Sequence, residues 1–483
     1  MIEPIIAIIL SYLETSELIA LCNRETNFRM IIEFVLELML SYRKEINFRK
    51  IIKKYIKIFS LKNSLWSITN DDIKYFVGVS EINLYGCQQI TDRGLKYLKG
   101  VHTIDLSYCI WVTADGLEYL KGVHSINLCH TGVTDRGVGY LKGVHTIDLS
   151  FSRITDKGLE YLKGVQSIKL CYSSGITDEG LKYLKGVETI DLAYCNITDR
   201  GLEWLKGVQS ISLSGCYSVT DHGLENLKGV HVIDLSSCHN ITDRGLEYLK
   251  GVHTINLTRY FNSKVTDRGL EYLKGVCIIN LTNCTSVTDR GLEYLKGVQS
   301  INLSRCNQIT DYGLKYLKGV KTINLSECEQ ITDHGLRYVK NVSEISLGRC
   351  KQITDEGLKY LKRVQTIDLS YCSEITNRGL LYLKEVCAIN LSGCERVTYI
   401  GLAYLDVHTI NLRSCNQITN RELRYLGGIS SIGLANCTKI TDNGLEYLKG
   451  VQVINLSGCN QITEKGLGYL KDESKIELHN HYA

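Results

Sequence analysis

The chain has 483 residues, of which 44% are apolar and 22% are charged, and its formal net charge is +4. This composition is typical of a folded protein and excludes a largely disordered chain, and so small a net charge gives no indication of nucleic acid or an acidic substrate as a partner. The counts of one Pro and 42 Gly exclude proline-rich and collagen-like structures and suggest that one glycine turn is used many times.

No stretch reaches the roughly 18 apolar residues that a membrane span requires. The apolar run from Ile5 to Leu13 follows an acid and a proline instead of the basic residues of a signal peptide. We therefore expect an intracellular protein, cytoplasmic or nuclear (host-cell cytoplasm if the source is viral), with no membrane or nucleic-acid partner. The odd count of 19 cysteines favours free thiols over a disulfide framework.

The first 60 residues do not repeat, and their apolar spacing predicts short helices. We expect these over Ile5–Tyr12, about Ser16–Cys22, Phe28–Ser41 and Ile46–Phe59. From Arg43 to Lys57 there are seven basic residues and one acid. We interpret this stretch as an amphipathic connecting helix that packs on the following region, with membrane-surface or nucleic-acid contact as the alternative.

The N-terminal 28 residues resemble the start of an F-box. The matching positions are Ile5, Ile9, Leu10, Ser11, Tyr12, Leu13, Ser16, Glu17, Leu18, Leu21 and Phe28. The sequence departs from the family at Ile2, where proline is usual, at Pro4, where an acid is usual, and at Arg24, where an apolar residue is usual.

The F-box resemblance implies a Skp1-like adaptor as a partner and, through it, the cullin of a ubiquitin ligase. The residues that it implies for adaptor binding are Ile5, Ile9, Leu10, Leu13, Leu18 and Leu21. The alternatives are a degenerate F-box, or a segment that only caps a stack of repeats, because a solenoid must shield its open end.

A unit of about 22 residues recurs from about Leu61 to the C-terminus, in steps of 21 or 22 residues with one of 24 before Leu281. One leucine per unit marks the register: Leu84, Leu106, Leu128, Leu149, Leu170, Leu192, Leu213, Leu235, Leu257, Leu281, Leu303, Leu325, Leu347, Leu369, Leu391, Leu412, Leu434, Leu456 and Leu478. Leu61, with Ser64 where later copies have cysteine, is a degenerate first copy.

Each unit reads as a strand, a turn, a short helix and a glycine stop. Alternation of apolar and polar residues before the leucine predicts a half-buried strand, and Thr91-Asp92 supplies acceptors for the amides of a helix start. Leu95 and Leu98 share one helix face, and Gly100 stands where a left-handed cap is expected. One unit cannot bury its apolar face, but a stack of units can.

The words L-x-x-C and I-T-D-x-G-L resemble the cysteine-containing subtype of the leucine-rich repeat over roughly 420 residues. The resemblance implies an α/β solenoid, with a curved parallel β-sheet inside and short helices outside, behind a small all-α F-box-like segment. We divide the chain into residues 1–42 (F-box-like), 43–60 (basic connecting helix) and 61–483 (solenoid of about 19 repeats).

Fourteen of the 19 cysteines fall in the L-x-x-C slot, and Thr131, Ser152, Ser173 and Tyr260 replace cysteine in other copies. This substitution pattern indicates a small inward-facing residue. A metal site is not expected, because metal ligands must converge on one point, whereas these cysteines lie in a row with one in each repeat. The three histidines His102, His124 and His145 form a file that we interpret as a solvated sheet edge, with chelation as the alternative.

Partner binding is expected on the concave face, at the second residue after the strand leucine. Five successive copies have an aromatic residue there, which predicts a stripe roughly 20 Å long at a strand spacing of about 4.8 Å, and later copies are mostly basic. The candidate partner-binding residues are Tyr108, His130, Phe151, Tyr172, Tyr194, Arg259, Arg305 and Arg349. The alternative is random drift at a tolerant surface position.

No phosphate-binding loop, zinc-protease motif or nucleophile elbow occurs in the sequence, so we expect no catalytic residues and no cofactor. Two function classes remain. The first is the substrate-recognition subunit of a Skp1-cullin-F-box type ubiquitin ligase, which captures a target protein on the solenoid. The second is an interaction scaffold or decoy without ligase recruitment.

Overall fold

The computed structural model describes residues 68–259, 264–470 and 475–478, and the backbone of Ile58–Ser60. The chain divides between Val230 and His231 into two compact units. The expected N-terminal helices and the six adaptor-binding residues lie outside the described residues.

In the first unit, eight strands of three residues recur at the repeat period. They are β1 Ile58–Ser60, β2 Glu81–Asn83, β3 Thr103–Asp105, β4 Ser125–Asn127, β5 Thr146–Asp148, β6 Ser167–Lys169, β7 Thr189–Asp191 and β8 Ser210–Ser212. Each strand pairs in parallel with the next one in the chain. The central isoleucines align, as Ile104 does with Ile126.

The second unit continues the pattern with twelve strands, which also pair in parallel in chain order. They are β9 Val232–Asp234, β10 Thr254–Asn256, β11 Ile278–Asn280, β12 Ser300–Asn302, β13 Thr322–Asn324, β14 Glu344–Ser346, β15 Thr366–Asp368, β16 Ala388–Asn390, β17 Thr409–Asn411, β18 Ser431–Gly433, β19 Val453–Asn455 and β20 Lys475–Glu477.

A helix of about one turn follows almost every strand. In the first unit the helices are Asn70–Ile73, Asp92–Leu95, Ala114–Leu117, Asp135–Val138, Asp156–Glu160, Asp178–Leu181, Asp199–Leu202 and Asp221–Leu224. In the second unit they are Asp243–Leu246, Asp267–Glu271, Asp289–Glu293, Asp311–Leu314, Asp333–Leu336, Asp355–Leu358, Asn377–Leu380, Tyr399–Leu402, Asn420–Leu423, Asp442–Leu445 and Glu464–Leu467.

Many of these helices continue into a 3-10 turn. The 3-10 turns are Lys74–Phe76, Lys96–Leu98, Glu118–Leu120, Gly139–Leu141, Lys182–Leu184, Glu203–Leu205, Glu225–Leu227, Glu247–Leu249, Lys315–Leu317, Glu446–Leu448 and Gly468–Leu470. Within the described ranges, no helix is long and apolar enough to cross a membrane.

The core of each unit lies between its strands and its helices. The strand residues Ile104 and Leu106 and the helix residues Leu95 and Leu98 are buried, as their spacing predicted. Gly100 has φ of 80°, which confirms the expected left-handed cap. The leucine-rich-repeat architecture expected from the sequence is therefore present in both units.

Neighbouring helix starts are joined by hydrogen bonds that recur through much of the stack. Thr288 donates from its backbone N to Oδ1 of Asp267 at 2.7 Å and from Oγ1 to Oδ2 at 2.6 Å, and its Oγ1 accepts the amide of Arg290 at 3.3 Å. A Cβ on Gly291 would lie 2.5 Å from Oδ1 of Asp267. The glycine of each T-D-x-G-L word therefore leaves room for the carboxylate of the preceding repeat.

In one pair of repeats, the carboxylate of the preceding repeat and the glycine that makes room for it are both replaced. Tyr399 stands where most helices begin with Asp, and the next helix has Glu422 in place of the glycine. Oε2 of Glu422 accepts both the backbone N and the Oγ1 of Thr419, each at 2.6 Å. Loss of the neighbour's carboxylate thus frees space for a side chain that supplies its own.

The strand Ile58–Ser60 differs from the expectation of a helix over Ile46–Phe59. It pairs in register with Glu81–Asn83, so Ile58 and Phe59 belong to a strand and not to a helix. The physical reason is that Leu61 already carries the repeat register, and the residues before a register leucine form the strand.

Candidate partner-binding surface

The turn after each strand places one residue in the left-handed region of backbone space. Tyr108, His130, Phe151, Tyr172 and Tyr194 have φ between 56° and 62°. This conformation lets each residue donate its amide to the next repeat, as Tyr108 does to the carbonyl O of Cys129 at 2.9 Å. The period of the repeat therefore sets these five side chains side by side at the carboxyl ends of β3 to β7.

The five rings form a continuous stack, which we call the aromatic column. Ring centroids are 4.5 Å apart for Tyr108 and His130, 4.0 Å for His130 and Phe151, 4.7 Å for Phe151 and Tyr172, and 4.4 Å for Tyr172 and Tyr194. The interplanar angles are 9–21°, so the rings lie nearly parallel. This spacing follows from the strand spacing of about 4.8 Å.

The two ends of the aromatic column are closed in different ways. Tyr85 contacts Tyr108 edge to face with centroids 5.3 Å apart. At the other end a Cβ on Gly215 would lie 2.6 Å from the ring of Tyr194, so the absence of a side chain lets this ring lie over the next repeat. The faces of the rings are therefore covered, and their edges are what solvent can reach.

Three of the five rings of the aromatic column are exposed, and those of His130 and Tyr194 are half-buried. Tyr108, Phe151 and Tyr172 are 41%, 42% and 46% exposed. Trp111, in the loop after β3, is 61% exposed, and Tyr217 is also exposed. A row of exposed aromatic side chains such as Tyr108, Phe151 and Tyr172 is typical of an interaction site.

Stability alone does not explain the aromatic residues. A non-glycine residue in the left-handed region costs about 1–2 kcal/mol, and a stacked aromatic pair contributes about 0.5–1.5 kcal/mol beyond the area that it buries. Over the column, five such residues cost about 5–10 kcal/mol and four stacked pairs contribute about 2–6 kcal/mol, so stacking does not offset the strain. The corresponding positions Gly86, Gly215, Ser237 and Asn283 hold residues that suit the turn without any stacking.

Carboxylates lie beside the aromatic column, on the last residue of three of the same strands. Oδ1 of Asp105 accepts the amide of Ser107 at 2.9 Å and its Oγ at 2.5 Å, and Oδ1 of Asp191 accepts the amide of Ala193 at 2.9 Å. The Nζ of Lys169 lies 3.8 Å from Oδ2 of Asp148. These aspartates are half-buried, and the bonds to Oδ1 hold their side chains in place.

In the second unit, the basic residues expected at the same turn position have partners of their own. Arg305 forms two hydrogen bonds with Glu327, at 3.1 Å from Nε and 3.0 Å from Nη2. The guanidinium of Arg349 lies 4.9 Å from the ring centroid of Tyr371. The side chains remain exposed, but the ion pair cancels the charge of Arg305.

Arg259 was expected on the exposed surface, and this expectation is wrong. Its side chain is 2% exposed, and Nη1 donates to the carbonyl O of Leu235 at 3.0 Å. In other repeats a cysteine thiol makes this bond, as Cys306 does to Leu281 at 3.1 Å. In the repeat that precedes the 24-residue step, Arg259 thus takes the place of the thiol, and burial lowers the pKa of its guanidinium.

The slot cysteines are structural. All fourteen are buried, and Cys109 donates its thiol to the carbonyl O of Leu84 at 3.1 Å. Burial raises the pKa of Cys109 and Cys350 to about 12, so their thiols stay protonated at neutral pH. Cys387, just before β16, is exposed.

The histidine file also forms a stack, at the opposite ends of the strands. Ring centroids are 4.5 Å apart for His102 and His124, and 4.0 Å apart for His124 and His145. The pKa of His124 is lowered, mainly by partial desolvation and to a smaller extent by the charges of the two neighbouring histidines. Over the described ranges, no group of three or more His, Cys, Asp or Glu side chains could hold a metal ion.

Sequence reasoning missed two parts of this surface. One is Tyr85, whose ring closes one end of the aromatic column although it lies outside the left-handed turn position. The other is the row of aspartates. Reading the residue before each strand leucine would have found that row, because Asp105, Asp148 and Asp191 share the repeats of the aromatic column.

Comparison with protein families finds the Leucine Rich repeat at residues 144–163, 187–205 and 230–250. The structure is similar to that of TLR13 in its complex with ssRNA13, at 13% identity and a TM-score of 0.51 over 80% of this chain and 64% of that chain. It is similar to the mouse RP105/MD-1 complex at 15% identity and a TM-score of 0.47, over 87% of this chain and 78% of that chain. It is also similar to the complex of Rad7 and Elc1 in yeast at 14% identity and a TM-score of 0.39, over 93% of this chain and 94% of that chain. Comparison with curated proteins gives no sequence match.

These matches define the class of protein. The chain contains leucine-rich repeats and has a leucine-rich-repeat solenoid fold. It spans 64% of the TLR13 chain. At such low identity the likeness concerns the fold alone.

Proposed function

We propose that this protein is the substrate-recognition subunit of a Skp1-cullin-F-box type ubiquitin ligase. Its first unit captures a target protein on the aromatic column, and its N-terminal segment binds a Skp1-like adaptor. The single observation that carries the capture step is the aromatic column itself, which combines exposed stacked rings with a backbone conformation that disfavours them. The left-handed turn recurs in most repeats, as at Arg305 and Glu327, so the run of five exposed or half-buried stacked rings is what distinguishes this surface.

Aromatic side chains are frequent energetic anchors of protein interfaces. The column offers its anchors already ordered, because each ring is held by its neighbours at 4.0–4.7 Å. Little side-chain entropy is then lost when a partner binds. The proposed target is an intracellular protein, in the cytoplasm or nucleus, and the proposed subunit itself needs no catalytic residue or cofactor.

The recruitment step rests on the F-box-like residues alone. Ile5, Ile9, Leu10, Leu13, Leu18 and Leu21 are the proposed adaptor contacts. The mechanism is proximity, since tethering the target near a conjugating enzyme raises its effective concentration there.

The test is affinity purification of the full chain from cells, with two variants that separate the steps. A Leu10→Ala, Leu13→Ala variant should lose the Skp1-like adaptor and cullin but keep the target. A Phe151→Gly, Tyr172→Gly variant should keep the adaptor and lose the target, which should then accumulate in cells. Tyr371→Gly is the matched control, because Tyr371 has φ of 58° in the second unit.

A second candidate function is a scaffold or decoy that holds its target without ligase recruitment. The departures from the F-box pattern at Ile2, Pro4 and Arg24 favour it. It predicts that the intact chain recovers the target but no adaptor or cullin subunit, and that target abundance does not depend on Leu10 and Leu13. If the intact chain recovers neither a target nor an adaptor, both candidate functions are contradicted.

A further inference from the structure

The aromatic column and the aspartate row coincide in the same five repeats. Three of the strands β3 to β7 end in aspartate, at Asp105, Asp148 and Asp191, and one ends in lysine. In the second unit the same strand position is mostly asparagine or serine, and Asp234 and Asp368 are its only aspartates among the described strands. The carboxylates of Asp105, Asp148 and Asp191 thus end alternate strands along the aromatic column, with Lys169 between the last two.

Two of these carboxylates have capacity for a further partner. The bonds to Asp105 and Asp191 all use Oδ1, which leaves Oδ2 of each available. The aspartate row already pairs with one ammonium group, because Nζ of Lys169 lies 3.8 Å from Oδ2 of Asp148. A cation brought by a partner would find the same kind of acceptor at each end of the row.

Nucleic acid fits this surface poorly. Nucleobases bind proteins by stacking on ring faces, but the faces here are covered by neighbouring rings at 4.0–4.7 Å. The aspartates would also repel phosphate groups. Ring edges instead suit aliphatic and aromatic side chains, since edge-to-face contacts are favourable.

We propose that the occupant of the aromatic column is an extended segment of a partner protein with two Lys or Arg side chains about six residues apart and apolar side chains between them. The basic side chains pair with Asp105 and Asp191, and the apolar ones pack on the ring edges. The spacing follows from geometry, because β3 and β7 are four strand intervals, about 19 Å, apart and an extended chain rises about 3.3 Å per residue. This inference rests on the proposed capture function and names the chemistry of its target.

The experiment selects ligands without bias. A library of random 12-residue peptides is panned on the full chain, and the enriched peptides are synthesised and titrated by fluorescence anisotropy. We expect two basic residues at the stated separation with apolar residues between them, and affinity that falls as salt is raised from 50 to 500 mM. Acidic or uncharged enriched sequences, or no enrichment, would overturn the proposal.

A charge-neutralising variant locates the site. Asp105→Asn with Asp191→Asn should weaken the selected peptides about tenfold, as expected for the loss of two partly exposed ion pairs. The fold should tolerate it, because Asn127 occupies this position in β4 and accepts the amide of Cys129 at 3.0 Å. Asp368→Asn in the second unit is the matched control and should leave affinity unchanged.

Two further outcomes separate this inference from the function on which it rests. If the double aspartate variant still captures the cellular target while Phe151→Gly, Tyr172→Gly does not, the function stands and the basic segment is wrong. If labelled oligo(U) binds the full chain and the aspartate substitutions strengthen that binding, the column is a nucleic-acid site and the proposal fails.

Discussion

Phe151 offers the sharpest test of the idea that the aromatic column is strained. It has φ of 57° and stacks between His130 and Tyr172, with centroids 4.0 and 4.7 Å away. Phe151→Ala keeps the strained backbone and loses two stacking contacts, which contribute about 0.5–1.5 kcal/mol each. The free energy of unfolding should therefore fall by about 1–3 kcal/mol.

Phe151→Gly loses the same contacts but relieves the left-handed strain of about 1–2 kcal/mol. Glycine adds an entropic cost of about 0.5–1 kcal/mol because its unfolded chain is freer. The glycine variant should thus be more stable than the alanine variant by up to about 1.5 kcal/mol, which reverses the order normally seen inside regular structure.

The assay is urea unfolding followed by circular dichroism, with the midpoints of the two variants compared directly. Tyr85, which is exposed and outside the positive-φ set, is the matched control, and there alanine should be the more stable of the two. If Phe151→Ala proves as stable as Phe151→Gly or more so, the strain argument is refuted.

Three further predictions concern the repeat stack. Gly291→Ala should lower the unfolding free energy by about 2 kcal/mol in the same urea assay, because the added Cβ displaces a carboxylate that accepts two hydrogen bonds of about 1 kcal/mol each; an unchanged midpoint would contradict it. With a thiol-reactive dye, Cys387 should react at once, whereas Cys109, whose pKa burial raises to about 12, should react only on unfolding; early labelling of Cys109 would contradict this. Hydrogen bonds from Thr463 lower the pKa of Asp442, so its stabilising effect is complete above the pKa of the unfolded chain and is lost as pH falls through the folded pKa. Asp442→Asn should therefore make unfolding less sensitive to acid, and equal sensitivity would argue against the bond.

Periodicity made the fold predictable. Leucines at steps of 21 or 22 residues give the strands, and the apolar residues beside them can be buried only against another copy. Local rules then place the threonine caps, the glycine stops and the buried thiols. The five aromatic positions followed from counting two residues past each leucine, and the structure shows what counting could not, namely that the rings stack.

The side-chain contacts between neighbouring repeats were decided by the tertiary structure. The buried position of Arg259, the exchange of glycine for Glu422 after Tyr399, and the pairing of Arg305 with Glu327 each involve partners 20 or more residues apart in the chain. The repeat pattern predicts which residues occupy equivalent positions, but it does not predict the contacts between their side chains. Those contacts are set by a strand spacing of about 4.8 Å, which is short enough for neighbouring side chains to compete for the same space and the same hydrogen bonds.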